Sequence, residues 1–305
     1  MARYSASEAP LPMISISRRK FLRTSSLALV GAAFVPRLLG ETGEKKLFSA
    51  MGIAASLDKA AAVKAEGAEF LTESVGNFLV PDQSDAEFAK NLAKLAASPL
   101  PILACNGFIR PANLHCVGPE ANHDAILTWA EPAFRRLKQA GGKFIVFGSG
   151  SARKIPDGWP KEKAEAQFVA LLKLLGPLAQ AQDITVTVEQ LRAEECNFIN
   201  HIGEGAALIR AAGHPNIRML ADLYHIACGG DTPADLKAAM DVVVHVEIAE
   251  KTGRTVPGVS RDDFRPYFRV LRESGYQGAI SIEGKWNPGQ LAVAFKDIAR
   301  QASEA

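Results

Sequence analysis

A chain of 305 residues is long enough for one large core, and an apolar content of 48% excludes a disordered polymer. The formal charge of +2 hides an asymmetry: residues 1–39 carry six of the 35 basic and one of the 33 acidic residues, leaving 29 against 32, a net of −3. A slightly acidic body removes the electrostatic case for nucleic acid, and four cysteines (Cys105, Cys116, Cys196, Cys228) with no CxxC pair read as buried thiols, not a disulfide framework.

The chain opens on Ser17-Arg18-Arg19-Lys20-Phe21-Leu22, followed by a weakly apolar stretch over 25–35. A basic segment before a short apolar one has the form of a signal, and it is too short for a membrane span. SRRKFL resembles the twin-arginine signal of bacterial export, which hands folded proteins to the twin-arginine machinery. Residues 1–39 are therefore expected to be signal and linker, with a mature start near 37–45 and a periplasmic or exported destination; retention as an uncleaved membrane anchor stays open.

From residue 47 onward short apolar runs alternate with helical patterns. The spacing predicts strands over 47–51, 69–73, 102–106, 143–148, 184–189, a run ending at 222, 242–248 and 278–283. Helices are expected between them, over about 57–66, 84–97, 124–140, 161–180, 197–212, from 233, from 263 to about 273, and after Asn287-Pro288. Their signals are Gly67, Gly141-Gly142 and Gly213 at C-terminal ends, and Thr232-Pro233-Ala234-Asp235 and Ser260-Arg261-Asp262-Asp263 at N-terminal ends. Eight βα units with no internal linker predict an α/β fold, a single-domain (β/α)₈ TIM barrel over residues 40–305. The loop 107–122 is long, and the loop SGSARKIPDGW after strand four is flexible; loops of this kind gather substrate-facing residues in a barrel.

Four groups fall at or near strand ends: Glu189, Asp222, His245 and Glu283, separated by 33, 23 and 38 residues. Successive barrel strands surround one pocket at their C-terminal ends, where three carboxylates and an imidazole repel or desolvate one another unless something compensates them. One divalent cation is the simplest compensation, and a carboxylate-rich donor set suits Mn²⁺ first, with Mg²⁺, Co²⁺ and Zn²⁺ also admitted. Taken singly, a strand-end carboxylate also reads as a helix cap and His245 as a hydrogen-bonded core residue. Glu195, His225 and Arg254 lie on the same rim and can fix the oxygens of a hydroxy-ketone; their bland readings are a helix N-terminal charge, a loop histidine and a solvated cation.

The ordered set of motifs carries a resemblance. Glu189 to Asn200 (EQLRAEECNFIN), LADLYHI over 220–226, HVEIAEKTGR over 245–254, ISIEG over 280–284 and VFGSG over 146–150 resemble, in order, those of the sugar-phosphate isomerase/epimerase superfamily of xylose-isomerase-like barrels. Within it the nearest groups are the hydroxypyruvate isomerase and D-tagatose 3-epimerase families. The resemblance implies Glu189, Asp222, His245 and Glu283 as metal ligands, Glu189 and Glu283 as the acid/base pair, and Glu195, His225 and Arg254 as substrate contacts. It implies proton abstraction alpha to a carbonyl of a carbohydrate, through a cis-enediolate, giving an epimer or an aldose–ketose isomer. Homodimers or homotetramers also fit such barrels. Two departures stand out: Gln190 where a proline is common, and Glu247, an extra acid two beyond His245. The competing functions are a lyase or hydrolase acting on a keto-glycoside through the same intermediate, and a non-catalytic exported sugar-binding barrel. An apurinic-site nuclease, with its histidine-rich zinc cluster and basic face, fits six histidines and an acidic body poorly.

Overall fold

The structure is a computed structural model, and it describes residues 46–305. The segment expected to be an export signal therefore lies outside the described residues; among those described, no helix is long and apolar enough to cross a membrane.

Eight parallel strands, β1 Met51–Ala54, β2 Phe70–Ser74, β3 Ile102–Asn106, β4 Phe144–Phe147, β5 Thr185–Glu189, β6 Ile217–Asp222, β7 Val243–Ile248 and β8 Ile280–Ile282, pair in sequence order and close through a β1–β8 pairing. Around them run α1 Ala60–Ala65, α2 Asp85–Ala96, α3 His123–Gln139, α4 Gly150–Arg153, α5 Lys161–Ala181, α6 Ile202–Ala212, α7 Leu223–Gly229, α8 Pro233–Ala239, α9 Arg265–Glu273 and α10 Gln290–Ser303. The predicted single-domain (β/α)₈ barrel is the fold of this body.

Packing between ring and helices relies on aromatic contacts. Phe108 stacks on Phe134 of α3 and meets Phe147 of β4 edge-on; Phe147 packs on Phe168 of α5, which meets Phe198, with centroids 5.1–5.6 Å apart throughout. All five rings are buried, so truncating one to alanine costs about 3–5 kcal/mol.

Three predicted boundaries move. β1 begins at Met51, not at 47, and runs on through Gly52 to Ala54; a Cβ at Gly52 would fall 2.4 Å from the Phe70 ring, so the glycine admits a close strand contact. Helix α6 begins at Ile202, not at 197. Residues 190–201 form a loop in which Ile199 has φ 61° and the Asn200 side chain donates to the Leu191 and Cys196 carbonyls, 2.7 Å each. Finally α7 follows Asp222 directly: the carboxylate accepts the Tyr224 N–H at 2.8 Å and caps a short helix that had no separate sequence signal.

Candidate active site and metal centre

The C-terminal mouth of the barrel holds a cavity of about 300 Å³, lined among others by Asn106, Arg110, Glu195, His225, Arg254 and Glu283. Beneath it one oxygen from each of Glu189, Asp222, Glu247 and Glu283 lies within 4.8 Å of the others. Glu189 and Asp222 end β5 and β6, Glu247 is the last residue but one of β7 and Glu283 follows β8 directly, so one half of the ring supplies them all.

Glu189 is accommodated by Gly148, whose missing Cβ would sit 2.3 Å from its Oε2. Glu283 is clamped from two sides. Asn106 Nδ2 donates to Oε1 at 2.8 Å, and Arg254 donates to Oε2 through a very short bond and to the Glu283 carbonyl at 3.3 Å. Arg254 also approaches Asp222 Oδ2 at 3.6 Å and Glu195 Oε1 at 3.5 Å, and its guanidinium lies 4.6 Å above the Tyr224 ring. Gly284 allows a close approach beside it: a Cβ there would lie 3.1 Å from the Arg254 carbonyl oxygen, tighter than ordinary contact. Glu195 accepts from Arg192 Nε at 2.7 Å.

Burial raises the pKa of all four acids, well above the ordinary range for Glu189 and Glu247. Neighbouring carboxylates push Glu189 and Glu247 further, while Arg254 pulls each of the four back. For Arg254 burial works against the charge, but Glu283, Asp222, Glu189 and Glu195 overcome it and hold the guanidinium more firmly protonated. A second cation, Arg153, is fully buried, with no acceptor for any guanidinium nitrogen, and its charge also favours ionised Glu189. Asp222 Oδ2 and both Glu247 oxygens are buried without a donor. Buried acceptors that lack protons to accept are what a cation site needs, and an all-oxygen donor set fits a divalent ion.

His225 lies 3.6 Å from Glu189 and 3.5 Å from Asp222 through Nε2, close enough to form a second geometric group with them. Its chemistry argues against ligation. Nδ1 accepts the Arg192 N–H at 3.1 Å, so that nitrogen is unprotonated. Burial and Arg254 press the ring pKa down to about 3, so the neutral ring carries its one proton on Nε2, which has no hydrogen-bond partner among the described residues.

His245, expected among the ligands, is not brought to the cluster. The β6–β7 register sets His245 opposite Leu220 and Glu247 opposite Asp222, so the histidine sits one layer deeper. Its ring stacks on Phe144 (centroids 5.1 Å, 17°) with neither nitrogen bonded, and burial lowers its pKa to about 4. The acid two residues on occupies the rim instead. Alternation along β7 was the available signal: His245 and Glu247 share a face, and only the latter is near the strand end. Glu73, near the end of β2, lies outside the cluster; it accepts the N–H groups of Leu57 and Ser74. Gln190, the other departure, donates to the Asp222 carbonyl at 3.0 Å and steadies β5 against β6. Asn106, Arg110 and Arg153 had no sequence signal beyond lying in or beside predicted loops, and Gly148 was marked only as part of VFGSG.

The sequence pattern of the family described as Xylose isomerase-like TIM barrel matches residues 57–304. A 2-oxo-tetronate isomerase of Cupriavidus necator is 27% identical over 141 residues, 45% of this chain and 54% of that protein. A 3-dehydro-D-guloside 4-epimerase of Escherichia coli is 28% identical over 174 residues, 55% of this chain and 66% of that one. The chain thus spans between half and two thirds of the length of these curated relatives. Among solved structures, 3-keto-D-glucoside 4-epimerase from E. coli superposes with a TM-score of 0.68 at 19% identity, over 83% of this chain and 98% of that one. D-psicose 3-epimerase with D-tagatose from Clostridium cellulolyticum gives 0.66 at 18% identity, over 85% and 93%. At these identities the structures speak for the fold.

Proposed function

This chain belongs to the xylose isomerase-like TIM-barrel family, and on that premise we propose that it is a divalent-metal-dependent isomerase or epimerase of a sugar or keto-sugar. The observation that carries the reading is the convergence of Glu189, Asp222, Glu247 and Glu283 under a polar cavity, with buried oxygens that have no donor. The partial matches to an isomerase and an epimerase support the reaction class.

A divalent ion held by these four acids would supply Lewis-acid polarisation of a substrate carbonyl, and the all-carboxylate set favours Mn²⁺ or Mg²⁺ over softer ions. Glu189 and Glu283 form the acid/base pair, at the ends of β5 and β8. In the metal-free site burial raises both pKa values; a bound cation would favour the ionised form, the one that can accept a proton. One removes the proton alpha to the carbonyl. Return by the other to the same carbon from the opposite face inverts that centre; return to the neighbouring carbon moves the carbonyl. His225 donates through Nε2 to a substrate oxygen, Arg254 holds Glu283 in place, and Glu195 contacts the substrate at the mouth.

In D₂O the metal-loaded protein should place deuterium beside the carbonyl of its ketose, read by NMR, and Glu189→Gln or Glu283→Gln should abolish the exchange. Binding of ketoses without exchange across a broad set would overturn the enzymatic reading in favour of a binding barrel. Export rests on SRRKFL alone: a double Arg18→Lys, Arg19→Lys variant should stay in the cytoplasmic fraction, and an unchanged distribution would remove the twin-arginine assignment.

A further inference from the structure

Two arginines line the cavity, and only one is neutralised. Arg254 is committed to Glu283, Asp222 and Glu195. Arg110, in the loop after β3, has no carboxylate partner among the described residues; Nη1 donates to the neutral Ser74 Oγ at 3.2 Å, and Nε and Nη2 have no acceptor. Its stem lies over two glycines. A Cβ at Gly76 would come 3.2 Å from Arg110 Cδ, and one at Gly107 would come 3.7 Å from it. The bare backbone leaves room for the side chain to lie along the cavity wall, and Ser74 tethers one corner of the guanidinium.

Position in the ring gives this cation its meaning. β3 and β7 are four strands apart in a closed ring of eight, so the loops bearing Arg110 and Arg254 rise on opposite sides of the mouth. The acid cluster lies under β5 to β8. A substrate with its reacting carbons over that cluster has its far end on the side of β2 and β3, where Arg110 stands. The cluster itself repels anions, so an acidic substrate needs a separate cation at its remote end.

We propose that Arg110 is a specificity-determining residue that receives a carboxylate at the end of the substrate remote from the carbonyl, making the preferred substrates keto-sugar acids and not neutral ketoses. This assignment rests on the isomerase/epimerase reading and narrows it. A planar guanidinium with unengaged donors matches a carboxylate in shape and charge, whereas a dianionic phosphate beside this many acids would call for more than one cation.

The test measures deuterium incorporation from D₂O by the full-length, metal-loaded protein with three probes: D-fructose, its 6-carboxylate D-fructuronate, and D-fructose 6-phosphate. The expected result is a kcat/KM for the uronate at least about ten-fold above that for fructose, the size of a lost charge-assisted hydrogen bond. In Arg110→Met that ratio should collapse toward one, mainly through KM, and Arg110→Lys should restore part of it. Arg110 is exposed, and matching melting curves will show that both variants fold. A wild-type ratio of one or less, or a ratio that survives Arg110→Met, overturns the proposal while leaving the isomerase reading intact. Preference for the phosphate with the same Arg110 dependence overturns the carboxylate in favour of a phosphate monoester. Exchange with none of the probes or other ketoses overturns both readings together.

Discussion

Glu247 and His245 sit two residues apart on one strand and one layer apart in the barrel, and that step separates a member of the rim acid cluster from a core side chain. Glu247→Ala should weaken Mn²⁺ binding by more than about ten-fold in titration calorimetry, whereas His245→Gln should act first on thermal stability by disturbing the stack with Phe144. Equal losses of affinity in the two variants would restore the histidine to the ligand set. Gly148 offers a second contrast. The atom its added methyl would strike is the tip of the Glu189 side chain, which can swing aside at little cost to folding. Gly148→Ala is therefore expected to keep a melting temperature near wild type while losing more than about ten-fold in metal affinity and most of the solvent exchange. The residue types of the site were legible from strand-end positions: Glu189, Asp222 and Glu283 arrive where spacing put them. What the spacing did not carry was the depth of each side chain, because that depends on the stagger between neighbouring strands.

The segment between β7 and α9 shows how an element places a side chain of the cavity wall. Glu250, fully buried, accepts the N–H groups of Gly258, Ser260, Arg261 and Asp262 and the Thr255 hydroxyl, and so folds the loop that presents Arg254. Removing such an acceptor leaves several backbone donors unpaired. Glu250→Ala should cost about 3 kcal/mol in denaturant unfolding and raise KM, because Arg254 loses its platform. An unchanged KM would show that Arg254 is positioned by its ion pairs alone. Elements were readable wherever periodicity and caps agreed, as for the Thr232 capping box before α8. They were misread where an apolar pattern ran on through a loop. Phe198, Ile199 and Ile202 continue the spacing of α6 backward, yet the positive φ of Ile199 and the Asn200 side-chain bonds make that stretch irregular.

At the scale of the whole molecule the buried acids tie stability to pH and to metal. In the metal-free fold Glu189, Asp222, Glu247 and Glu283 have raised pKa values, so they keep protons that the unfolded chain, with ordinary carboxylates near about pH 4, has released. The folded state then binds more protons than the unfolded one, and stability falls as pH rises above that range. The cation competes with those same protons. Below about pH 7 the buried neutral His225 and His245 act in the opposite sense, so calorimetry should show the metal-free melting temperature dropping from about pH 7 to pH 8, and added Mn²⁺ raising it more at pH 8 than at pH 5. A metal-induced rise that is the same at both pH values would mean that the acids are ionised without the ion. Fold class was the most legible property of all, since eight repeats of one unit admit few closed arrangements. The closure of the ring has a further bearing on how the protein matures. Glu283 follows the last strand, and that strand completes the circle by docking on the first. A growing polypeptide that has not yet made β8 has three of the four acids and an open seam, so the four-oxygen cluster, and with it any ion it is proposed to hold, must wait for the last strand.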